Sequence, residues 1–287
     1  MRYLLILAIV LVSLCTGLPE IPFINPGNTS VQKAGVLVID QESPDIFVSV
    51  NAIPTEVKAG RDINVFFDLR NKNLYDLKNV NLTVYDPCIF TGDMGKYIDY
   101  IRANRTVSFS LKWTADQTDL DKDCNVKFRV SYDAESSLFQ DIAVLSKSEY
   151  EQREVAGTLN SIPIQSSFPS SPLKISLSFS DNQPFMENEN YYLYLDYYNT
   201  GDGFVDVGNI SIIPSGNLKN VNCSDYLLQG NILLLNKPLS FIGNRASSST
   251  CSFGTVATQA MDIKSLEITA SYKYVLDNSI SIRVKAT

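Results

Sequence analysis

The chain has 287 residues, a net charge of −7, no histidine and five cysteines. Its Lys and Arg are scattered singly, so it lacks the basic patch that nucleic acid or an anionic lipid surface requires. Without histidine it lacks the commonest general base, the Ser-His-Asp and Cys-His nucleophile systems and most zinc sites, which leaves carboxylates to carry any acid–base catalysis. The expectation is a protein that is not an enzyme and holds no cofactor.

Arg2 is followed by an apolar run from Tyr3 to Cys15, interrupted only by Ser13. A membrane-spanning helix needs roughly 17 to 25 residues, so this shorter run fits the apolar core of an export signal, and Pro19 ends any helix. Three fates fit residues 1–17. Cleavage after Gly17 leaves small residues near the cut. VSLC resembles a lipobox with Cys15 as the lipidated residue, although Leu14 stands where Gly, Ala or Ser is usual. Retention as an uncleaved anchor is the third. Residues 18–43, with Pro19, Pro22, Pro26 and Gly27, read as a tether, in which only GVLVID (35–40) has strand character.

The rest of the chain says one thing twice. NRTVSFSLKW at Asn104 returns as NRASSSTCSF at Asn244, and the same offset of 140 carries Tyr132 onto Tyr272 and Val144 onto Val284. A repeat this long means two copies of one domain rather than a solenoid. The first copy is expected at 44–146. In it DINVFFDLR alternates, with Ile63, Val65, Phe67 and Leu69 on one face. Val107, Phe109, Leu111 and Trp113 form a second inward row, and Val126, Phe128, Val130 and Tyr132 a third. Period-2 alternation with no long helical period predicts an all-β chain of two tandem immunoglobulin-like antiparallel sandwiches.

Residues 147–171 form the linker. SKSEYEQRE suggests a helical turn, and the Ser- and Pro-rich remainder suggests a semi-extended pair of domains. The second copy is expected at 172–287. Its YYLYLDYY strand aligns with 63–70 at an offset of 128, so it gains twelve residues before the later block, in the region of DYLLQGNILLLNKP. That insertion predicts an extra hairpin.

Setting Cys15 aside leaves four cysteines, two per copy. Cys88–Cys124 with Cys223–Cys251 is the one pairing that stays inside domains. Loops of roughly 30 to 40 residues should each stabilise the fold by roughly 3.5 to 4 kcal/mol in the chain-entropy model. An even count after export argues for an oxidising compartment.

SPDIFVSVNAIPTEVKAGRDINVFFDLRN resembles the opening of a CARDB-type domain, an immunoglobulin-like module of prokaryotic surface proteins. The likeness rests on a Pro-Asp start, a Pro-to-Gly turn, an alternating strand, and an Asn followed by a Gly. Asn199-Thr200-Gly201 carries the last feature in the second copy; Asn71-Lys72-Asn73 lacks its Gly, and the second copy lacks the Pro-Asp start. The resemblance implies a surface-exposed sandwich with adhesive, scaffolding or spacer roles and no catalytic residues.

Three constellations are candidate sites. Asp116, Asp119, Asp121 and Asp123 crowd one loop, a composition that suits Ca²⁺, although the Gly and closing Glu of an EF-hand are missing; a solvated loop is the plainer expectation. Tyr192, Tyr194 and Tyr198 form an outward aromatic row that suits a sugar ring or a protein partner. Leu227, Leu228, Leu233 and Leu234 stand in the inserted hairpin, as a partner site or a local mini-core. The expected protein is exported and membrane-tethered through its amino terminus, with an adhesive or structural role toward a protein or glycan at the cell surface. A carbohydrate-binding module acting through the tyrosine row and an inert envelope spacer are the alternatives.

Overall fold

The computed structural model describes residues 37–168 and 170–287. The expected export signal, Cys15 and the expected tether up to residue 36 lie outside the described residues.

The first copy supplies β1 (Leu37–Glu42), β2 (Ile46–Ile53), β3 (Glu56–Lys58), β4 (Asp62–Asn71), β5 (Leu77–Asp86), β6 (Phe90–Gly92), β7 (Gly95–Ile101), β8 (Thr106–Ala115) and β9 (Lys122–Leu145). Helix α1 (Lys147–Ala156) and β10 (Ser166–Ser167) follow. The second copy supplies β11 (Leu173–Phe179), β12 (Phe185–Met186), β13 (Asn190–Asn199), β14 (Phe204–Ile213), β15 (Leu218–Cys223), β16 (Tyr226–Gln229), β17 (Ile232–Leu235), β18 (Phe241–Ile242), β19 (Arg245–Ala246), β20 (Ser249–Thr255) and β21 (Met261–Lys285). In β4 each second residue, from Ile63 to Asn71, is buried and those between are exposed, as period 2 requires of a half-buried strand.

These strands build three sheets, nearly all antiparallel. Sheet 1 runs β1-β2-β4-β8-β6, and sheet 3 runs β15-β20-β13-β19-β18 with β11 also on β13. Each lies within one copy, once β1 is counted with the first. Part of the expected tether is therefore the edge strand β1, paired along its length with β2. Sheet 2 draws on both copies in the order β16-β17-β14-β21-β9-β5-β7.

Strands β9 and β21 hold sheet 2 together. They have 24 and 25 residues, where strands of roughly 3 to 10 are usual. They pair antiparallel from Lys122↔Val284 to Leu145↔Met261. Asp133 faces Lys273, and these two are also equivalent under the 140-residue offset. The contact is therefore self-complementary, like the isologous interface of a two-fold dimer written into one chain. Each copy lends its far strand end to the other. Val284 pairs in parallel with Val57 of β3, and at the equivalent place Val144 pairs in parallel with Phe185 of β12.

This arrangement replaces the expected semi-extended pair. CNVKFRVSYD and FQDIAVLS look like two strands separated by a polar break, but β9 continues through both. Ala134 and Ser136 keep the inward parity that Val130 and Tyr132 begin. These small side chains stand midway along the strand, where it passes from one copy to the other. The linker is docked as well. Ser146 caps α1 through its hydroxyl, Gly157 ends the helix in the left-handed conformation, and β10 pairs with β9.

One hydrophobic core spans both copies, from Phe67, Trp113 and Phe128 to Tyr274, Phe253 and Leu195. Phe67 of sheet 1 meets Phe128 of sheet 2 edge to face at 5.4 Å, and Phe185 meets Phe253 of sheet 3 at 5.5 Å. Two disulfides add to it. Cys88 is joined to Cys124, and Cys223 to Cys251 across neighbouring strands of sheet 3. Two such bonds suit an oxidising, extracellular location. Among the described residues no helix is long and apolar enough to cross a membrane.

Candidate functional site

The expected tyrosine row lies on β13. Leu193, Leu195 and Tyr197 point into the core, so Tyr192, Tyr194, Asp196 and Tyr198 face outward. Tyr192 is 51% exposed and Tyr194 38%. Hydroxyls flank them on both sides. Thr250 and Ser252 of β20 stand opposite Tyr194 and Tyr192, and Ser178 of β11 stands opposite Tyr194. Ser180 accepts the Tyr192 N–H at 3.1 Å. The result is a flat sheet face with two free aromatic rings set in a field of short polar side chains.

Tyr198 differs from the other two. The Arg245 guanidinium lies 5.5 Å over its ring and donates at 2.7 Å to Asp196, which also accepts from Ser248. The Ser248 hydroxyl and then Arg245 hold the Asp196 carboxyl below its usual range. The structure therefore brings Tyr192 and Tyr194 together as open surface and closes Tyr198 beneath a cation.

The inserted hairpin is β16–β17, turning at Gly230, and it extends sheet 2 beyond β14. It divides by face. Leu233 is buried, Leu234 is half-buried, and the buried Tyr226 shares a hydrogen bond of 2.6 Å with Tyr197. Leu227 and Leu228 are exposed, at the outer edge of the sheet. The hairpin is thus packed along its inner strand β17 and at Tyr226, and leaves open apolar surface along its edge strand β16.

The acidic loop turns toward the end of β21. Asp121 accepts from Lys285 Nζ at 3.0 Å and from the Ala286 N–H at 3.0 Å, and Arg283 lies 3.6 Å from Asp121 and 3.8 Å from Asp123. The backbone N–H of Ala286 and then Lys285 hold the Asp121 carboxyl low. Asp116 and Asp119 stand apart from this pairing. Among the described residues no three acidic or sulfur side chains gather in a metal-holding geometry.

Two features at the two-fold had no short-range signal. Asp45, half of the Pro-Asp start, is wholly buried. Its carboxylate accepts from Tyr272 at 2.7 Å and from Asn73 at 3.1 Å. Burial raises its pKa to about 6, against the opposing pull of the Tyr272 hydroxyl and Lys72. Tyr272 belongs to the other copy, 227 positions away. Pro172 occupies the equivalent backbone place, since Lys72 N–H bonds Asp45 O as Thr200 N–H bonds Pro172 O. Only one half therefore carries the carboxyl, and Tyr132, the equivalent of Tyr272, keeps a buried hydroxyl with no hydrogen-bond partner among the described residues.

The second feature is a groove of about 640 Å³ on sheet 2, lined by both copies. Its floor is a charge ladder read across four neighbouring strands: Lys78 of β5 faces Asp133, Asp133 faces Lys273, and Lys273 faces Asp206 of β14. Leu74 and Tyr75 line it from the loop after β4.

No family model and no curated protein matches this chain. Its function must be argued from its own residues.

Proposed function

We propose that this is an exported, membrane-tethered, non-catalytic surface protein with an adhesive role, and that it binds glycan on the outer face of sheet 3. The single observation that carries the reading is the exposure of Tyr192 and Tyr194 between two rows of hydroxyls. A β-sheet satisfies its fold with an inward row alone. Large aromatic side chains left in solvent on a flat face offer contact area at low entropy cost, and their ring faces suit the C–H face of a sugar. The neighbouring Ser and Thr hydroxyls supply donors and acceptors for sugar hydroxyls. The CARDB-type resemblance of the 43–71 stretch and the apolar run at the amino terminus support the surface location.

The test is retention of the protein on a panel of insoluble and immobilised polysaccharides. The parent should be retained by at least one of them, and the Tyr192→Ala/Tyr194→Ala protein should not. No retention of the parent, or equal retention of both, would count against the reading. A second reading, a protein partner at the hairpin, is favoured by exposed Leu227 and Leu228. Under it, Leu227→Ser/Leu228→Ser would abolish binding to whole cells while polysaccharide retention stays unchanged.

A further inference from the structure

The groove on sheet 2 is a second recognition site that the tyrosine face does not explain. It sits over the pairing of Asp133 with Lys273, where the two copies are related to one another, and neither copy alone could form it. Four carboxylates line it, on Asp76, Asp133, Glu135 and Asp206, against two ammonium groups, on Lys78 and Lys273. Three of those carboxylates are already engaged. Asp76 accepts the Ala103 N–H at 3.0 Å, Asp133 accepts from Asn79 at 2.7 Å, and Glu135 pairs with Lys78 at 3.4 Å. The Asp206 carboxylate has no hydrogen bond or ion pair among the described residues. The groove therefore keeps an excess of negative charge with one carboxylate open at its second-copy side.

Its other side is apolar. Leu74 is 75% exposed and Tyr75 46%, adjacent in one loop. The loop's own fold does not require them, because it is held by Asn71, whose side chain donates to Tyr75 O at 2.8 Å and accepts from the Asn73 N–H at 2.8 Å. An exposed aliphatic–aromatic pair sharing one cavity with an open carboxylate matches the two ends of a cationic side chain, whose stem packs on apolar surface while its head seeks an anion or a ring face.

We propose that this groove binds a lysine- or arginine-bearing segment of a protein partner, with the aliphatic stem against Leu74 and Tyr75 and the cationic head toward Asp206. The acidic balance of the whole chain, −7, would steer such a segment toward it.

The experiment uses the full chain and a synthetic peptide, acetyl-Gly-Arg-Gly-Lys-Gly-amide, followed by calorimetry and by backbone amide NMR shifts. The peptide should bind, with shifts confined to residues 74–78, β14 and the middles of β9 and β21, and added salt should weaken it. Replacing Arg by citrulline and Lys by acetyl-lysine should weaken binding about tenfold, since both the cation–π contact and the ion pair are lost. Tyr75→Ala/Asp206→Asn should do the same, both positions being exposed. Tyr192→Ala/Tyr194→Ala should leave peptide binding intact, which keeps this site separate from the glycan reading. Equal binding of the neutral peptide, shifts centred elsewhere, no binding at all, or binding of free spermidine but not of the peptide would overturn the proposal.

Discussion

On the outer face of sheet 1, β4 presents Asn64, Phe66, Asp68 and Arg70; at the equivalent positions of sheet 3, β13 presents Tyr192, Tyr194, Asp196 and Tyr198. The inner rows of the same strands stay alike. Val65 and Phe67 answer to Leu193 and Leu195, and Asn71 to Asn199, all buried. The two asparagines do the same work. Asn71 Nδ2 donates to Tyr75 O and Asn199 Nδ2 to Gly203 O, while their side-chain oxygens accept from the N–H of Asn73 and Gly201. The inner row and this turn are what the sandwich needs. The outer row is free to differ: the first copy shows a lone aromatic, Phe66, and the second a row of three tyrosines.

The largest expected effect concerns whether the copies are separable at all. A shared pairing that runs the length of β9 and β21 should make the described residues unfold together. Guanidinium unfolding should therefore give one transition. Replacing either cysteine pair with serine should lower that transition by roughly 3 to 4 kcal/mol, with little difference between pairs, because loop-closure entropy varies slowly with loop length. Two resolved transitions, each sensitive to only one disulfide, would break the picture of a common sheet.

Next comes the asymmetry at the two-fold. Asp45 has a folded pKa of about 6 against an ordinary 3.8. The folded state therefore holds its proton more tightly than the unfolded chain does. Its contribution is fully present below the unfolded pKa and is lost as pH rises through about 6, an expected fall of about 3 kcal/mol. Asp45→Asn should flatten that slope and raise stability at neutral pH. The second copy has Pro172 in the equivalent place and contributes no such slope. A parent protein whose stability is level from pH 4 to 7 after its other carboxylates are accounted for would remove the argument.

The inner rows of β4, β8 and β9 were legible because alternation is local: Ile63 to Leu69 announce their own face. The cysteine pairing was legible because four residues divided evenly between two copies. Asp45 was not. Its Pro-Asp context looks like an ordinary strand opening, and only Tyr272, brought over by β21, turns it into a buried carboxyl between copies. The continuity of β9 was hidden for a related reason. DAESS looks like a break because four of its five residues are polar, yet they continue a strand that passes from one copy to the other. The groove was invisible for the same cause, since Lys78, Asp133, Lys273 and Asp206 meet only through the register of four strands.

A smaller effect tests the equivalence of the turns. Asn71→Ala and Asn199→Ala should each cost roughly 1 to 3 kcal/mol, the range for stranding buried partners. Asn71 should cost more, because it also donates to Ile101 O at 2.9 Å. Equal or reversed costs, measured from chemical denaturation midpoints, would mean that the two turns are held by different forces.

The smallest effect returns to the outer faces. Tyr192 and Tyr194 make few contacts that the fold needs, since their strand is fixed by backbone pairing with β11 and β20 and by the inward Leu193 and Leu195. Surface substitutions away from a cap, cavity or buried network usually change stability by about 0.5 kcal/mol or less. Tyr192→Ala/Tyr194→Ala should therefore move the melting transition scarcely more than Phe66→Ala, its counterpart on sheet 1, while only the sheet 3 variant loses polysaccharide retention. If the tyrosine variant instead costs several kcal/mol, the rings are structural, and the difference between the two faces says nothing about a ligand. If both variants are neutral to stability and to binding, the outer faces differ without consequence. Stability unchanged with binding lost in one copy alone is the outcome that separates an aromatic face used for recognition from one merely tolerated.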